Sequence, residues 1–331
     1  MPDVASIDIQ TEIKWFMRPY LMDFLIEAHQ AFGLSADTLF LSINLLDRYC
    51  SKRIVYKKHY QLVGCAALLI ASKYGDRKDL VPTIKELRNM CCSLYEDDMF
   101  LQMEWHVLQT LNWVIGHPTI DSFLQIATDR QPSDPEVEHM ACYISEIALF
   151  QREFVAKRPS DMARSALALA RCILGRGQEL VTVWAGQFDP ILLKALYEQT
   201  SNPSKILYRK YSSAALSRVA LVLDDHVVQS QEKARLEHEA ALKQEASKRF
   251  AQATTNCGPA TPHKEHPQPT FNNGCLTPPD TPTENDNFPS HSHQRTIIEP
   301  TRPPTPPDFG YPYSVNQMRL PPLQPLTAAV G

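Results

Sequence analysis

Apolar residues in this chain recur at helical spacing, segment after segment, and that pattern leaves few folds open. In SADTLFLSINLLDRYC (35–50), Leu39, Ile43, Leu46 and Cys50 fall at i, i+4, i+7 and i+11, one stripe along a helix. Ser35 is placed to cap that helix, and Asp37 lies in its first turn, where the helix dipole favours an anion. Comparable stripes run through 17–32, 58–73, 83–91 and 97–111. These spacings predict five helices with short links. Alternating apolar and polar runs bounded by turns, the mark of half-buried strands, are not seen.

A second set of helical segments follows GHPT (116–119), at 119–128, 133–150, 160–174, 189–200 and 202–223. Asp134 is a capping residue, with Pro135 at the first helical position. Ser160 is available to cap 160–174, a stretch rich in Ala and Leu that resembles 58–73. Each set thus holds one small-residue helix that its neighbours can approach closely, which predicts a duplicated five-helix unit. The expected architecture is all-α: a bundle with a leading helix over 1–118, a second over 119–224, and a polar helical extension over 225–250. That extension is polar nearly all round, so it is expected to project or fray. Of 26 prolines, nine lie in 1–250 and 17 in 251–331. The last segment cannot bury enough apolar surface to offset its ordering entropy and reads as a disordered tail.

Composition excludes several functions. The net charge is −4, without the strongly basic domain of a nucleic-acid binder. The basic cluster CSKRIVYKKHY (50–60) reads either as a solvated loop between helices or as an import or nucleic-acid patch. No apolar run approaches the roughly 18 residues of a membrane span. Residues 1–16 carry acids early and lack an unbroken apolar core, so no secretory signal is expected. The eight cysteines form no CxxC pair. Cys50, Cys65, Cys142 and Cys172 fall in apolar patterns and are expected to be buried free thiols, in keeping with nucleus and cytoplasm. Cys91 and Cys92 read as the end of a helix. His139 and Cys142, i and i+3, are too few to hold a metal. No phosphate-binding loop, HExxH or GxSxG is present. The chain is not expected to be an enzyme, nor to need a cofactor.

Lys73 closes CAALLIASKYGD (65–76) at a helix end, where a cation suits the dipole, and Glu104 lies between apolar Met103 and Trp105 on another helix. By themselves the two can be solvated charges. However, MRPYLMDFLIEAH, INLLDRYCSK, YQLVGCAALLIASKYGD and LQMEWHVLQTLNW, in that order, resemble the cyclin box, and INLLDRY and LIASKYGDRKD resemble fungal G1/S cyclins of the Cln type. The resemblance spans about residues 1–225, its first half on motifs and its second half only on helix pattern.

The resemblance implies a regulatory subunit that holds a cyclin-dependent kinase in its active arrangement, a population shift toward the state it binds better. It implies that Lys73 and Glu104 make the central polar contact with the kinase, rimmed by Tyr74, Leu108, Trp113 and Ile115. Where many cyclins carry an aromatic residue and two acids after the lysine, this chain has Tyr74, Gly75 and Asp76. The resemblance also implies a shallow groove that docks kinase substrates and inhibitors, formed by Met17, Tyr20, Leu21, Phe24, Glu27, Lys57 and Gln61. Tyr20, Phe24 and Lys57 depart from the usual aliphatic, Trp and Arg, which suggests an altered preference toward Leu/Pro-rich segments. A second reading is a cyclin-fold transcription factor, either as the partner of a polymerase-directed kinase or as a nucleic-acid binder.

In the tail, Thr277, Thr281 and Thr305 each precede proline, as does Thr261. LTPP with Thr281 four residues on resembles a phosphodegron of the kind that WD-repeat F-box ubiquitin ligases read. Each phosphate would add about −1.5 to −2 charges suited to an arginine cluster. The alternative is incidental Thr-Pro in a proline-rich linker. Residues 1–16 leave no room for the N-terminal destruction box of mitotic cyclins, which favours G1.

Overall fold

The computed structural model describes residues 1–129, 133–177 and 184–255, with side chains to residue 245. Twelve helices and no strand are found among them: α1 (Val4–Asp8), α2 (Arg18–Phe32), α3 (Ala36–Cys50), α4 (Tyr60–Gly75), α5 (Ile84–Met90), α6 (Asp97–Thr110), α7 (Ile120–Thr128), α8 (Pro135–Ala148), α9 (Pro159–Ile173), α10 (Pro190–Gln199), α11 (Lys205–Tyr211) and α12 (Val219–Thr255). Residues 1–241 form one compact unit.

The caps explain where the helices begin. Ser35 Oγ accepts from Thr38 N at 3.4 Å, and Asp134 Oδ1 accepts from Val137 N at the same distance. Thr83 and Glu86 form a reciprocal capping box at α5. Glycine at 33, in the left-handed region (φ 63°), closes α2.

Helices α2, α3 and α6 pack around α4, and α7, α8 and α10 pack around α9, while α5 lies on α6 and α11 on α2 and α8. Every residue of α4 from Leu62 to Ser72 is buried. Its small side chains allow neighbours in: a Cβ on Gly64 would come within 2.9 Å of Leu21 Cδ1 on α2. α9 is buried over most of its length, against α7, α8 and α10. Two polar devices join the repeats. Arg18 makes a bidentate pair with Asp47 (2.6 and 2.9 Å), fully inside the protein, and its Nε donates to Leu149 O across the junction at 2.7 Å. The Asp37 carboxylate at the start of α3 accepts from Thr119 and, at 2.7 Å, from Ser122 at the start of α7.

Four expectations need correction. The segment 202–223 is not one helix. It breaks after Tyr211 at a serine-rich SSAALS turn, where Ser212 Oγ bonds back to Tyr208 O and Ser217 and Arg218 adopt left-handed backbone. The polar stretch from 225 is then part of α12, not a separate element. Ser160 does not cap α9, because Pro159 starts the helix one residue earlier. Cys172, near the end of α9, is exposed where packing partners run out, and Cys142 is only half-buried, whereas Cys91 is buried against α4. The proposed tail, 251–331, lies outside the described residues save for the backbone of its first turn in α12.

Candidate functional site

Two helices of the first repeat bring the predicted charge pair together. Lys73 stands in the last turn of α4, with the dipole. Glu104 stands on α6, whose Phe100, Met103, Val107 and Thr110 form the stripe that binds it to the core. Lys73 Nζ lies 2.6 Å from Glu104 Oε1. The lysine side chain is 48% exposed and the glutamate 13%, so the pair sits at the surface with its remaining donors and acceptor open. An exposed pair of this kind contributes about 0–1 kcal/mol to folding. Its placement is therefore not explained by the stability of the chain alone.

The end of α4 is pinned. Asp76 accepts from Ser35 N at 3.0 Å and from Thr38 Oγ1 at 2.5 Å, which ties the residue after the helix to the N-cap of α3. Asp76 thus acts inside the fold, holding the turn that presents Lys73. Tyr74 is exposed and its hydroxyl overhangs Gly116, 2.6 Å from where a Cβ would be. That contact sets α4 beside the segment after α6. There Asn112 and Trp113 both take left-handed backbone (φ 52° and 59°), Trp113 N bonds to Leu108 O at 2.9 Å, and Arg48 holds Val114 O at 2.6 Å. A tryptophan in this region is strained. The result is that Trp113 is turned out to solvent, while Leu108 and Ile115 are half-buried against the core.

Lys73 and Glu104 thus meet at the surface, and Tyr74, Leu108, Trp113 and Ile115 lie on the same two helices and the segment after α6. Sequence reasoning missed three residues that enlarge it: Leu101, Trp105 and Val114, all exposed. The signal was present. Leu101, Trp105 and Leu108 are i, i+4 and i+7, a second apolar stripe beside the one α6 uses for its core. A helix with two such stripes has one left for a partner.

The second predicted site is more dispersed. Tyr20, Glu27 and Lys57 are exposed, Met17, Phe24 and Gln61 half-buried, and Leu21 is buried against Gly64 as part of the core. Glu27 is taken up by Arg209 of α11 at 2.8 Å, and the Lys57 backbone by Glu12 at 2.9 Å. Exposed Phe16, one turn before Tyr20, extends the aromatic face and was not foreseen. Thr277, Thr281 and Thr305 lie outside the described residues. Among the described residues no cluster of three His, Cys, Asp or Glu could hold a metal, and no helix is long and apolar enough to cross a membrane. His139 bonds Ser217 through Nδ1 at 2.9 Å.

Residues 1–116 match the model of the cyclin N-terminal domain and 118–254 that of the cyclin C-terminal domain. The G1/S-specific cyclin CCN1 of Candida albicans is 42% identical over 248 residues, covering 68% of this chain and 34% of that protein. Cyclin puc1 of Schizosaccharomyces pombe is 49% identical over 117 residues (35% of this chain, 33% of puc1). The G1/S-specific cyclin CLN3 of Candida albicans is 46% identical over 126 residues (38% and 27%). The chain thus spans about a third of the length of these relatives or less. With two helical repeats in the fold, and both domain models matched in order along it, the chain belongs to the cyclin family.

Proposed function

We propose that this chain is a regulatory subunit, without catalysis of its own, that binds and activates a cyclin-dependent Ser/Thr kinase at the G1/S transition. The observation that carries the reading is the Lys73–Glu104 pair, held at the surface, with Tyr74, Trp105 and Trp113 exposed on the same two helices and the segment after α6. Docking a kinase helix there would desolvate the pair and point its open donors and acceptor at backbone groups of the partner, where charge-assisted bonds are strong. The G1/S assignment is supported by the names of CCN1 and CLN3. The decisive experiment is to purify the chain's complexes from cells. The expected result is a proline-directed kinase with measurable activity, lost with Lys73→Glu. Retention of DNA without a kinase would replace this reading with the transcription-factor one. Loss of the contact should weaken kinase binding by about 2–5 kcal/mol, part of which reflects the partner charge left unpaired.

Two finer parts belong to the same reading. The face of Met17, Tyr20, Phe24, Lys57 and Gln61 docks substrates and inhibitors, with Leu21 as its floor. Tyr20→Ala should slow phosphorylation of motif-bearing substrates while leaving a short generic peptide unaffected. Phosphorylation of Thr277, Thr281 and Thr305 by the bound kinase marks the chain for an F-box ubiquitin ligase, a built-in timer acting in nucleus and cytoplasm. An unchanged half-life of Thr277→Ala in cycling cells would remove that part.

A further inference from the structure

Cys65 and Cys91 face each other inside the first repeat, Sγ to Sγ at 3.5 Å. Cys65 lies midway along α4 and Cys91 is the residue that ends α5, and both are buried. No other sulfur–sulfur contact is found among the described residues. Cys50, equally buried, has no thiol partner, and Cys92 beside the pair is exposed. We propose that Cys65 and Cys91 are a hydroperoxide-reactive dithiol that closes to an intramolecular disulfide, stapling α4 to α5.

Three features make the pair more than two small core residues in contact. The first is distance: sulfurs at 3.5 Å need to approach by about 1.5 Å to bond, a shift that a short helix end can absorb. The second is the mobility expected of α5. It has seven residues, packs on α6, and is followed by Cys92 and Ser93 in left-handed backbone (φ 50° and 57°) next to exposed Leu94. Fraying of such an end opens Cys91 to a small solute without unfolding the repeat. The third is the mutual hydrogen bond. The Cys65 thiol beside it holds Cys91 below the usual thiol range, whereas Cys65 is pushed up by that same bond and by burial. Cys91, at the helix end that frays open, is the thiol that a hydroperoxide reaches first and so attacks, and Cys65, midway along α4, resolves.

The chemistry balances with a hydroperoxide as oxidant. The Cys91 thiolate attacks the peroxide oxygen, the O–O bond breaks, and sulfenic acid and hydroxide form. Cys65 gives its proton to that hydroxide, making water, and its sulfur displaces hydroxide from the Cys91 sulfur. The released hydroxide takes up the proton lost when the Cys91 thiolate formed. In sum, two thiols and one hydrogen peroxide become one disulfide and two waters. The bond closes the loop 65–91, which contains Lys73. The proposal does not rest on the kinase reading, since the dithiol is defined by the core alone.

The test is to treat the full chain with stoichiometric hydrogen peroxide, block free thiols with N-ethylmaleimide after unfolding, and map the products by mass spectrometry. The expected product is a Cys65–Cys91 cross-link that dithiothreitol reverses, formed at least tenfold faster than any oxidation of Cys50. It should persist in Cys92→Ser and vanish in Cys91→Ala. Because the wild-type map already decides the matter, a folding defect in a variant leaves the test intact. Oxidation confined to Cys92, or Cys65 and Cys91 both alkylated after treatment, overturns the proposal.

Discussion

The two repeats each hold a lysine–glutamate pair of the same length and use it in opposite ways. In the first, Lys73 and Glu104 meet at 2.6 Å on the surface, with groups to spare. In the second, Lys210 and Glu146 meet at 2.6 Å with side chains 8% and 1% exposed. Glu146 there accepts from Lys210 at both oxygens and from the Tyr211 hydroxyl at 2.7 Å, and Tyr211 stacks on Tyr143. Both side chains of the pair are almost wholly out of water, so this corner is dry. A buried pair must satisfy itself within the fold, because an unmatched charge there costs several kcal/mol. An exposed pair is under no such demand and can be completed by a partner. The same two residue types thus close on each other inside the fold in one repeat and meet at the surface in the other, and the difference is set by what surrounds them.

The comparison breaks most readily at the buried pair. Lys210→Ala leaves Glu146 without its counter-charge, and the unfolding free energy should fall by about 3–5 kcal/mol. Lys73→Ala should change it by less than about 1 kcal/mol. Denaturant midpoints of the two variants, measured side by side, check this. Equal losses would show that the surface pair is structural after all.

A smaller effect sharpens the outward side. Alanine at Gly116 would bring a Cβ to 2.6 Å from the Tyr74 hydroxyl and 3.3 Å from Cζ. Tyr74 is exposed, so its ring can swing away at a cost to stability within about 0.5 kcal/mol. Its position beside Lys73 would be lost. Gly116→Ala should therefore reduce kinase capture several-fold with an unaltered melting curve. A fall in stability without a fall in capture would mean that Tyr74 packs the fold rather than the partner.

Much of the outward pair was legible in advance. The helical stripes locate α3, α4 and α6, the Ser35 and Asp134 caps locate two starts, and the resemblance to the cyclin box, not the residues alone, couples Lys73 with Glu104. The inward pair was not. Glu146 and Lys210 lie 64 residues apart on helices whose docking no local pattern specifies. Asp76 shows the same limit: the sequence marked it as a departure from a familiar motif, while its task, bonding Ser35 and Thr38, depends on a tertiary contact. The split of 202–223 was hidden because Ser and Ala are tolerated in helices, and the serine hydroxyls decide only when the chain must turn. Spacing reports which face of a helix is apolar. It does not report what that face meets.

The last effect concerns pH, and it falls at the contact between the two repeats. His29 on α2 is buried, with Nε2 at 2.8 Å from Ser35 O and no partner for Nδ1. The carbonyl takes the proton on Nε2, and burial disfavours a second proton on Nδ1, so the fold favours the neutral ring. Its pKa is lowered first by burial and then by the charge of Lys210, against smaller opposing contributions from Glu146, Ser35 and Asp76. In the unfolded chain the same histidine titrates near about 6.5. As the pH falls below that value the unfolded state takes up a proton that the folded state does not, so stability declines until the folded value is passed. His59, His106 and His117, each lowered mainly by burial, act in the same direction. One such histidine adds a slope of at most about 1.4 kcal/mol per pH unit. His29→Gln, whose amide nitrogen reaches the place of Nε2 and can still donate to Ser35 O, should flatten the fall in unfolding free energy between pH 7 and pH 5 while leaving part of it to the other three. An unchanged slope would mean that His29 is protonated in the fold, and that the dry environment attributed to the second repeat's ion pair does not extend to α2.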